Sequence, residues 1–508
     1  MNAARATKLL AVAAVVLAAL RLPWLAARHA RPALNAEAAD LQRVMFYHWG
    51  LRGHLAWDWW EQVLRDGFKP PLWYGGVPAL GAWRTTLDAE FLAWVQAALL
   101  VALAVLVWRA ASALAGASAG PLAVAAMLAM PGVAGRFTVA GVEPLHAVLL
   151  LAWVLTLRRM RAPGVGPPAL AGVLLGAGLL AKWSFAAYAL GPWLGAAFLS
   201  RRDARGLGRL VTAGLIGLAT FGAWWFTAAD PAAVLAGAGD EPSFPGDPIG
   251  ALLFYPRVVV TALGAPGLGL SVAGIVAARG LEVRADRRDG ALLFAAAAAV
   301  LLVHVAVPHK ELRYVLPALP MVAALAAAPV ARRFATRGVA RLGIVAALLL
   351  GGVASALVPA TGAAFPGDLR LVPNDYDAGL DAVVAHPSFA GRERNVVTYS
   401  LDVTPLFPVM TTLGWAFYSR NATVVVGRGN HVDLTERAAA FDLERSTHVV
   451  LDRDLGDQER AAIASMGFRP VVERRPIDLG GFPVLSLWAL EPGRAPPKRG
   501  RGPAPPPP

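Results

Sequence analysis

The chain has 508 residues, of which 56% are hydrophobic and 16% are charged, and its net charge is +13. Soluble globular proteins are about 45–50% apolar and about 25% charged, so the composition excludes an ordinary soluble protein and a disordered chain. The absence of cysteine excludes disulfides, cysteine-ligated metals and thiol catalysis. Most arginines form short clusters between apolar segments, which indicates cytoplasmic loops of a membrane protein rather than nucleic-acid binding.

Eleven apolar segments are candidates for helices that cross a hydrocarbon core of about 30 Å. The first is too long to be a cleaved signal peptide, and many further spans follow it. The fifth and sixth are short and meet at Lys182. The segments lie at residues 7–27, 90–112, 117–134, 141–157, 167–181, 184–200, 210–229, 254–278, 290–307, 314–331 and 342–360.

The arginines of the short loops fall mainly on one side of the predicted membrane. When the N-terminus, with Arg5 and Lys8, is placed in the cytoplasm, arginine-rich loops such as Arg158–Arg161 and Arg201–Arg209 are cytoplasmic as well. This distribution follows the positive-inside rule. With an odd number of spans, two large segments face the other side, namely the first outer loop (28–89) and everything after about residue 361.

The first outer loop holds two carboxylates soon after the first span. Glu37 and Asp40 are three residues apart, so a helical turn places them on one face. A carboxylate at an apolar boundary can act as a general base. The alternative is a solvated helix N-terminus, where the helix dipole favours acidic side chains.

Two further features of this loop point to the membrane surface. The tryptophan-rich stretch Ala56–Leu64 (AWDWWEQVL) predicts a short helix lying in the outer interface of the membrane, and the alternative is a surface loop. Lys69 begins Lys69–Tyr74 (KPPLWY) and is placed to meet a lipid phosphate. The alternative for Lys69 is an ordinary lysine that extends toward the headgroups.

Charged residues also mark three later positions on the predicted outer side. Glu143, in Glu143–His146 (EPLH), is either a functional carboxylate in an apolar span or a favourable charge at a helix start, whereas His146 alone indicates a structural role. Lys182 and the turn His309–Tyr314 (HKELRY) carry cations that can neutralise a phosphate; the alternative is an ordinary interfacial ion cluster. The ionisable residues that crowd this turn are His309, Lys310, Glu311 and Arg313.

Because all these clusters share one predicted side, they favour a single site level with the lipid headgroups. Such a site suits a lipid-linked phosphate donor. The cations stabilise the charge that develops on a departing phosphate. A carboxylate removes a proton from an attacking hydroxyl or amine.

The segment after the last span changes character. Asn395–Ser400, Ala422–Val426 and Thr447–Leu451 are β-branched runs typical of buried strands. Polar stretches at 433–441 and 457–466 predict helices between them, so we expect an α/β domain with a partly parallel sheet. Residues 470–491 predict a closing hairpin around Gly480 and Gly481. The proline-rich end, 492–508, predicts disorder.

These motifs resemble the GT-C superfamily of integral-membrane glycosyltransferases, which use polyprenyl-phosphate sugars. KPPLWY, EPLH and LLAKWS (179–184) are similar to elements of the protein O-mannosyltransferase and aminoarabinose-transferase branch. HKELRY, with the following Leu-Pro-x-Leu-Pro, is similar to the His-Lys-Glu-x-Arg-Phe/Tyr motif of the GPI and dolichol-linked mannosyltransferase branch. The resemblance covers about residues 1–360 and is looser for the C-terminal domain.

The resemblance implies an inverting transfer of a monosaccharide to an extracytoplasmic acceptor. Glu37 or Asp40 would be the base, although the family commonly has Asp-Glu where this chain has Ala36 and Glu37; Glu143 would orient a substrate or replace that base. Glu311 would order the cations and Tyr314 would line the site. The donor phosphate would be held by Lys69, Lys182, His309, Lys310 and Arg313.

The sequence therefore predicts a polytopic α-helical membrane protein, with about eleven transmembrane helices and a C-terminal extracytoplasmic α/β domain. The predicted parts are a membrane glycosyltransferase-like domain at 1–360, the α/β domain at 361–491 and the tail at 492–508. We expect the cytoplasmic (inner) membrane, no metal or other cofactor, no nucleic-acid partner, and a polyprenyl-phosphate sugar and membrane lipid as partners. The acceptor stays open. The alternatives are a secondary transporter and a non-catalytic anchor for an α/β binding domain.

Overall fold

The computed structural model of the protein forms two compact units. The first comprises Met1–Leu25, Trp60–Val77 and Leu92–Leu369, and the second comprises Ala26–Trp59, Pro78–Phe91 and Arg370–Pro508. The structure describes residues 2–28, 35–53, 69–138, 140–161, 164–230, 232, 248–278, 287–306, 312–357, 383–390, 395–400, 418, 424–429, 443, 446–451, 453–476 and 484–496.

Long apolar runs make the described residues before 358 almost wholly helical. Three short 3-10 helices also occur in the described ranges, at Arg158–Arg161, Leu312–Val315 and Pro387–Phe389. The α-helices of this part are α1 (Ala3–Arg28), α2 (Asn35–Leu51), α3 (Pro71–Leu80), α4 (Ala89–Ala115), α5 (Ala119–Ala129), α6 (Pro131–Arg136), α7 (Glu143–Leu157), α8 (Gly166–Ala181), α9 (Phe185–Leu199), α10 (Ala204–Thr227), α11 (Pro248–Ala278), α12 (Arg287–Ala306), α13 (Leu319–Arg333) and α14 (Gly338–Leu357).

Each of the eleven predicted spans overlaps helix in the described residues. The third is divided, because Pro131 begins a new helix after Met130 leaves the helical conformation. Five helices in the described ranges, α1, α4, α10, α11 and α12, contain segments long and apolar enough to cross a membrane, and several shorter helices are also apolar. The chain is a multi-pass membrane protein; the number of crossings and their orientation stay predictions.

Close helix packing in the first unit depends on small residues. Gly172 and Gly176, one turn apart on α8, face α10, where an added Cβ would lie 2.5 Å from the Cβ atoms of Ile216 and Thr220. Small residues at such spacing allow membrane helices to approach closely. The kink in α11 also requires a glycine. Gly264 has φ +60°, a conformation that favours glycine, and an added Cβ would lie 2.8 Å from Pro131.

The second unit contains a five-stranded mixed sheet in the order β2-β1-β3-β5-β4. β1 pairs in parallel with β2 and β3, while β5 pairs antiparallel with β3 and β4. A core that includes Val449, Ile463 and Trp488 joins this sheet to helix α15. The elements are β1 (Asn395–Ser400), β2 (Val424–Gly429), β3 (His448–Leu451), α15 (Asp457–Ser465), β4 (Phe468–Pro476) and β5 (Val484–Leu490).

β1, β3, α15 and the antiparallel pair of β4 and β5 lie where the sequence predicts them, and the sheet is partly parallel. β2 begins two residues later than the predicted strand Ala422–Val426 and ends three residues later. The bounds of an extracytoplasmic α/β domain stay a prediction. The interfacial helix expected at Ala56–Leu64 lies outside the described residues, as do the helix at 433–441 and most of the tail.

Within the second unit, Tyr418 connects segments that are far apart in sequence. Its hydroxyl is hydrogen-bonded to Nδ1 of His48 at 2.7 Å and accepts the backbone N–H of Leu87 at 3.0 Å. The rings of Trp49 and Tyr418 pack edge to face, with their centroids 5.7 Å apart. Burial raises the pKa of the Tyr418 hydroxyl well above its usual range, so this group stays protonated.

Candidate functional site

The first unit holds a buried carboxylate at the start of α7. Glu143 is the first residue of the helix and Pro144 follows it, a residue whose fixed φ suits the first helical turn. The carboxylate is therefore near the positive end of the helix dipole. Its side chain is only 2% exposed. A charge buried to this extent requires partners.

Three cations surround this carboxylate. Oε1 of Glu143 lies 3.2 Å from Nζ of Lys182 and 3.3 Å from Nε of Arg313, and Oε2 lies 3.9 Å from a guanidinium nitrogen of Arg136. Lys182 ends α8 in an extended conformation at the turn into α9, Arg313 belongs to the short helix Leu312–Val315, and Arg136 ends α6. Four separate elements thus bring their charged residues to one point.

Aromatic and histidine side chains enclose one flank of this charged group. Nζ of Lys182 lies 4.3 Å from the ring centroid of Tyr314. The ring of His304 stacks on Tyr314, with centroids 4.4 Å apart and 19° between the planes. His304 is in turn hydrogen-bonded through Nε2 to the hydroxyl of Tyr188. The ring of His146, a residue of α7, stacks on Tyr188 with their centroids 4.9 Å apart, so these side chains link Tyr314 to the helix that begins with Glu143.

The backbone before Glu143 is also held in place. Nε2 of Gln96, a buried residue of α4, donates to the carbonyl of Gly141 at 3.3 Å. A Cβ at Gly141 would lie 2.9 Å from Oε2 of Glu143, so a larger residue at this position would displace the carboxylate.

This arrangement is suited to the recognition of an anion. Lysine and arginine side chains form short, charge-assisted hydrogen bonds to phosphate oxygens. In a site that excludes water such interactions are stronger than in solution, because the local dielectric is low. Glu143 keeps the three cations together despite their mutual repulsion. The part of the chain described here shows no group of three or more histidine, aspartate or glutamate residues that could bind a metal.

The structure brings together four of the predicted site residues, namely Glu143, Lys182, Arg313 and Tyr314. Lys69 is half-buried and directly precedes Pro70 and α3. Glu37 and Asp40 lie in the first two turns of α2, but their side chains are outside the described residues. His309, Lys310 and Glu311 lie outside them entirely. The roles of these residues stay predictions.

Sequence reasoning missed several members of the group. Arg136, Tyr188 and Gln96 were not among the predicted site residues. His304 did give a signal, because an ionisable residue inside an apolar span indicates a function by default. The structure places it among three tyrosines, with Tyr255 5.7 Å away between ring centroids.

Comparisons with known proteins identify the fold. Residues 250–364, which include most of α11, all of α12 to α14 and the HKELRY sequence, match the model of the Alg9-like mannosyltransferase family. No curated protein sequence matches the chain significantly.

Solved structures match over nearly the whole length. One is ArnT from Cupriavidus metallidurans bound to undecaprenyl phosphate, with 13% identity, a TM-score of 0.62, and coverage of 96% of this chain and 98% of ArnT. Another is the oligosaccharyltransferase AglB from Archaeoglobus fulgidus in complex with an inhibitory peptide and a dolichol-phosphate, with 12% identity, a TM-score of 0.50, and coverage of 87% and 69%. The resemblance to the GT-C superfamily of membrane glycosyltransferases is confirmed at the level of the fold.

Proposed function

We propose that this chain, which has the fold of the GT-C membrane glycosyltransferases, moves a monosaccharide from a polyprenyl-phosphate donor to an acceptor outside the cytoplasm. The observation that carries this proposal is the convergence of Lys182, Arg313 and Arg136 on the buried Glu143. Undecaprenyl phosphate and dolichol-phosphate in the matching ArnT and AglB structures support a lipid phosphate as the ligand.

The reaction needs one nucleophilic displacement at the anomeric carbon of the sugar. The acceptor hydroxyl or amine attacks this carbon from the face opposite the phosphate, and the bond between the anomeric carbon and the phosphate oxygen breaks. The polyprenyl phosphate leaves with the electron pair, and the configuration inverts. The carboxylate of Glu37 or Asp40 takes the proton of the acceptor.

The cations act on the leaving group. Negative charge on the departing phosphate increases as the bond to the sugar breaks, so positive charges fixed near it lower the barrier. Lys182 and Arg313 are held for this role in the described residues, and Lys69, His309 and Lys310 would add to them. These side chains supply the charge that a metal ion would otherwise supply, so the proposed reaction needs none.

We assign Glu143 to positioning rather than to proton transfer. Two cations within 3.3 Å of one of its oxygens favour the charged form of the carboxylate and hold it in place. A general base must instead be able to accept a proton from the acceptor. The base is thus Glu37 or Asp40, while Glu143 fixes the geometry of Lys182 and Arg313.

The location of the protein and the role of its second unit complete the proposal. The protein lies in the cytoplasmic membrane with its N-terminus in the cytoplasm and its site on the outer side, as the arginine distribution predicts. The second unit, with its α/β sheet, would help to bind the acceptor.

The test is transfer from radiolabelled polyprenyl-phosphate sugars in membranes that contain the protein. We expect Glu37→Ala or Asp40→Ala to abolish transfer, and Glu143→Ala and Lys182→Ala to reduce it strongly. Asp289→Ala is the matched control, because this carboxylate forms an ion pair with Arg158 at 2.5 Å elsewhere in the first unit. Unchanged transfer in all three other carboxylate variants would refute the mechanism. Absence of transfer from every such donor would refute the function.

A further inference from the structure

His304 is a buried histidine inside an apolar helix that the proposed reaction does not use. It lies near the end of α12, in the sequence AVLLVHVA, and is 5% exposed. A polar ring at such a position costs free energy unless its surroundings compensate for it. Its position thus needs an explanation beyond packing.

The imidazole is oriented by two different contacts. Its Nε2 is hydrogen-bonded to the hydroxyl of Tyr188 on α9, which fixes the rotation of the ring. One face of the ring stacks on Tyr314, with the planes within 19° of each other. A partner that holds one ring nitrogen of a histidine is a common means of setting the orientation of that side chain.

Tyr314 contacts both His304 and two cations of the charged group. Its ring lies against the ammonium of Lys182, at 4.3 Å from the centroid, and near the guanidinium of Arg313, at 5.5 Å. A cation over an aromatic face is attracted to it, more strongly where water is excluded. The ring therefore limits the positions that the flexible lysine side chain can adopt.

We infer that His304 is a positioning residue, which acts through Tyr314 to hold the ammonium of Lys182 at the place of the departing phosphate. The inference rests on the proposed function. It adds Tyr188 and His304, which would not touch the substrate but would hold the residues that do. Placement within a fraction of an ångström matters here, because a displacement of about 1 Å can lower a rate by about 100-fold.

Two variants remove the same hydrogen bond from opposite ends. His304→Phe keeps a flat ring for stacking on Tyr314, and Tyr188→Phe keeps the ring that His146 stacks on. We expect each to lower kcat by about tenfold with a smaller change in the donor KM, because an interaction that matters mainly in the transition state is lost. The double variant should be no slower than either single one, since both act through one bond.

The decisive measurement is made in the Lys182→Ala background. If His304 acts through Lys182, His304→Phe lowers kcat little or not at all once the lysine is gone. Thr156→Val is the control, because it removes a buried hydroxyl that donates to Ala152 elsewhere on α7; kcat should be unchanged.

Two results would overturn the inference. One is a full additional loss of kcat from His304→Phe in the Lys182→Ala background, which would show that the two residues act independently. The other is a lower thermal unfolding temperature in His304→Phe with unchanged kcat, which would show a purely structural role. Failure of the proposed function is distinguishable, because the wild-type protein would then transfer no sugar.

Discussion

Two ion-paired groups, one in each unit, differ in how far their side chains are exposed to solvent. In the first unit, Glu143 is 2% exposed and its partners Lys182 and Arg313 are 16% and 12% exposed. In the second unit, the ion pair between Arg474 and Asp454 has side chains that are 63% and 60% exposed. Exposed pairs contribute little to stability, whereas a buried charge that loses its partner is strongly destabilising. Loss of one charge from the buried group should therefore cost more stability than loss of one charge from the exposed pair.

The largest effect is expected from Glu143→Gln, which keeps the shape of the side chain and removes its charge. The cations that converge on Glu143 would then repel one another with no carboxylate between them, and we expect the protein to lose about 3–5 kcal/mol of stability. Thermal unfolding in detergent measures this loss. Asp289→Asn should cost less, because this carboxylate is 22% exposed, has Arg158 as its ion-pair partner and is more accessible to water than Glu143. Equal unfolding temperatures for the two variants would mean that burial does not distinguish these pairs.

The next largest loss of stability is expected from a steric substitution at the close contact between α8 and α10. Gly176→Leu places a large side chain where even a Cβ lies 2.5 Å from Thr220, so we expect a cost of about 1–3 kcal/mol as the helices separate. Gly208→Ala on α10 is the control, because nothing lies within 4 Å of its added Cβ. The same thermal unfolding measurement applies, and a neutral Gly176→Leu would show that this contact does not need small residues.

The fold could be predicted from the sequence where local patterns decide it. The strand Asn395–Ser400 follows from its β-branched residues, and the hairpin of β4 and β5 follows from the glycine pair between them. The division of the third span at Pro131 was not predicted, although proline at a helix start is a recognised signal. The kink at Gly264 was also missed, because it depends on the approach of Pro131 from another helix.

The site was predictable only in part, and for a physical reason. Glu143, Lys182 and Arg313 could be assigned to one side of the membrane from the topology, and the structure brings them into contact. Topology does not give the rotation of a helix about its axis. Helices such as α7 and α9 are apolar on all faces, so their sequences do not show which residues meet. The contacts of His304 with Tyr188 and Tyr314 therefore became visible only in the structure.

An intermediate effect is expected in the second unit from Tyr418→Phe. This change keeps the aromatic ring against Trp49 and removes the hydroxyl, so that Nδ1 of His48 and the backbone N–H of Leu87 each lose a buried partner. A buried polar group left unsatisfied costs about 1–3 kcal/mol. Because the change lies in the second unit, limited proteolysis that follows each unit separately should show earlier cleavage there. An unchanged proteolytic pattern would contradict the prediction.

The smallest effect is expected from Asp454→Asn, the counterpart of Glu143→Gln in the second unit. The substitution removes one charge from the pair with Arg474, yet both side chains are more than half exposed and water can solvate the arginine that remains. Exposed pairs are typically worth about 0.2–1 kcal/mol, and salt reduces this further. We therefore expect a shift in the thermal unfolding temperature that is small at low salt and absent at high salt, and sugar transfer at the wild-type rate. A large shift that persists at high salt would show that this pair is not a solvated surface contact. The difference between the Glu143 group and the pair of Arg474 with Asp454 would then rest on something other than burial.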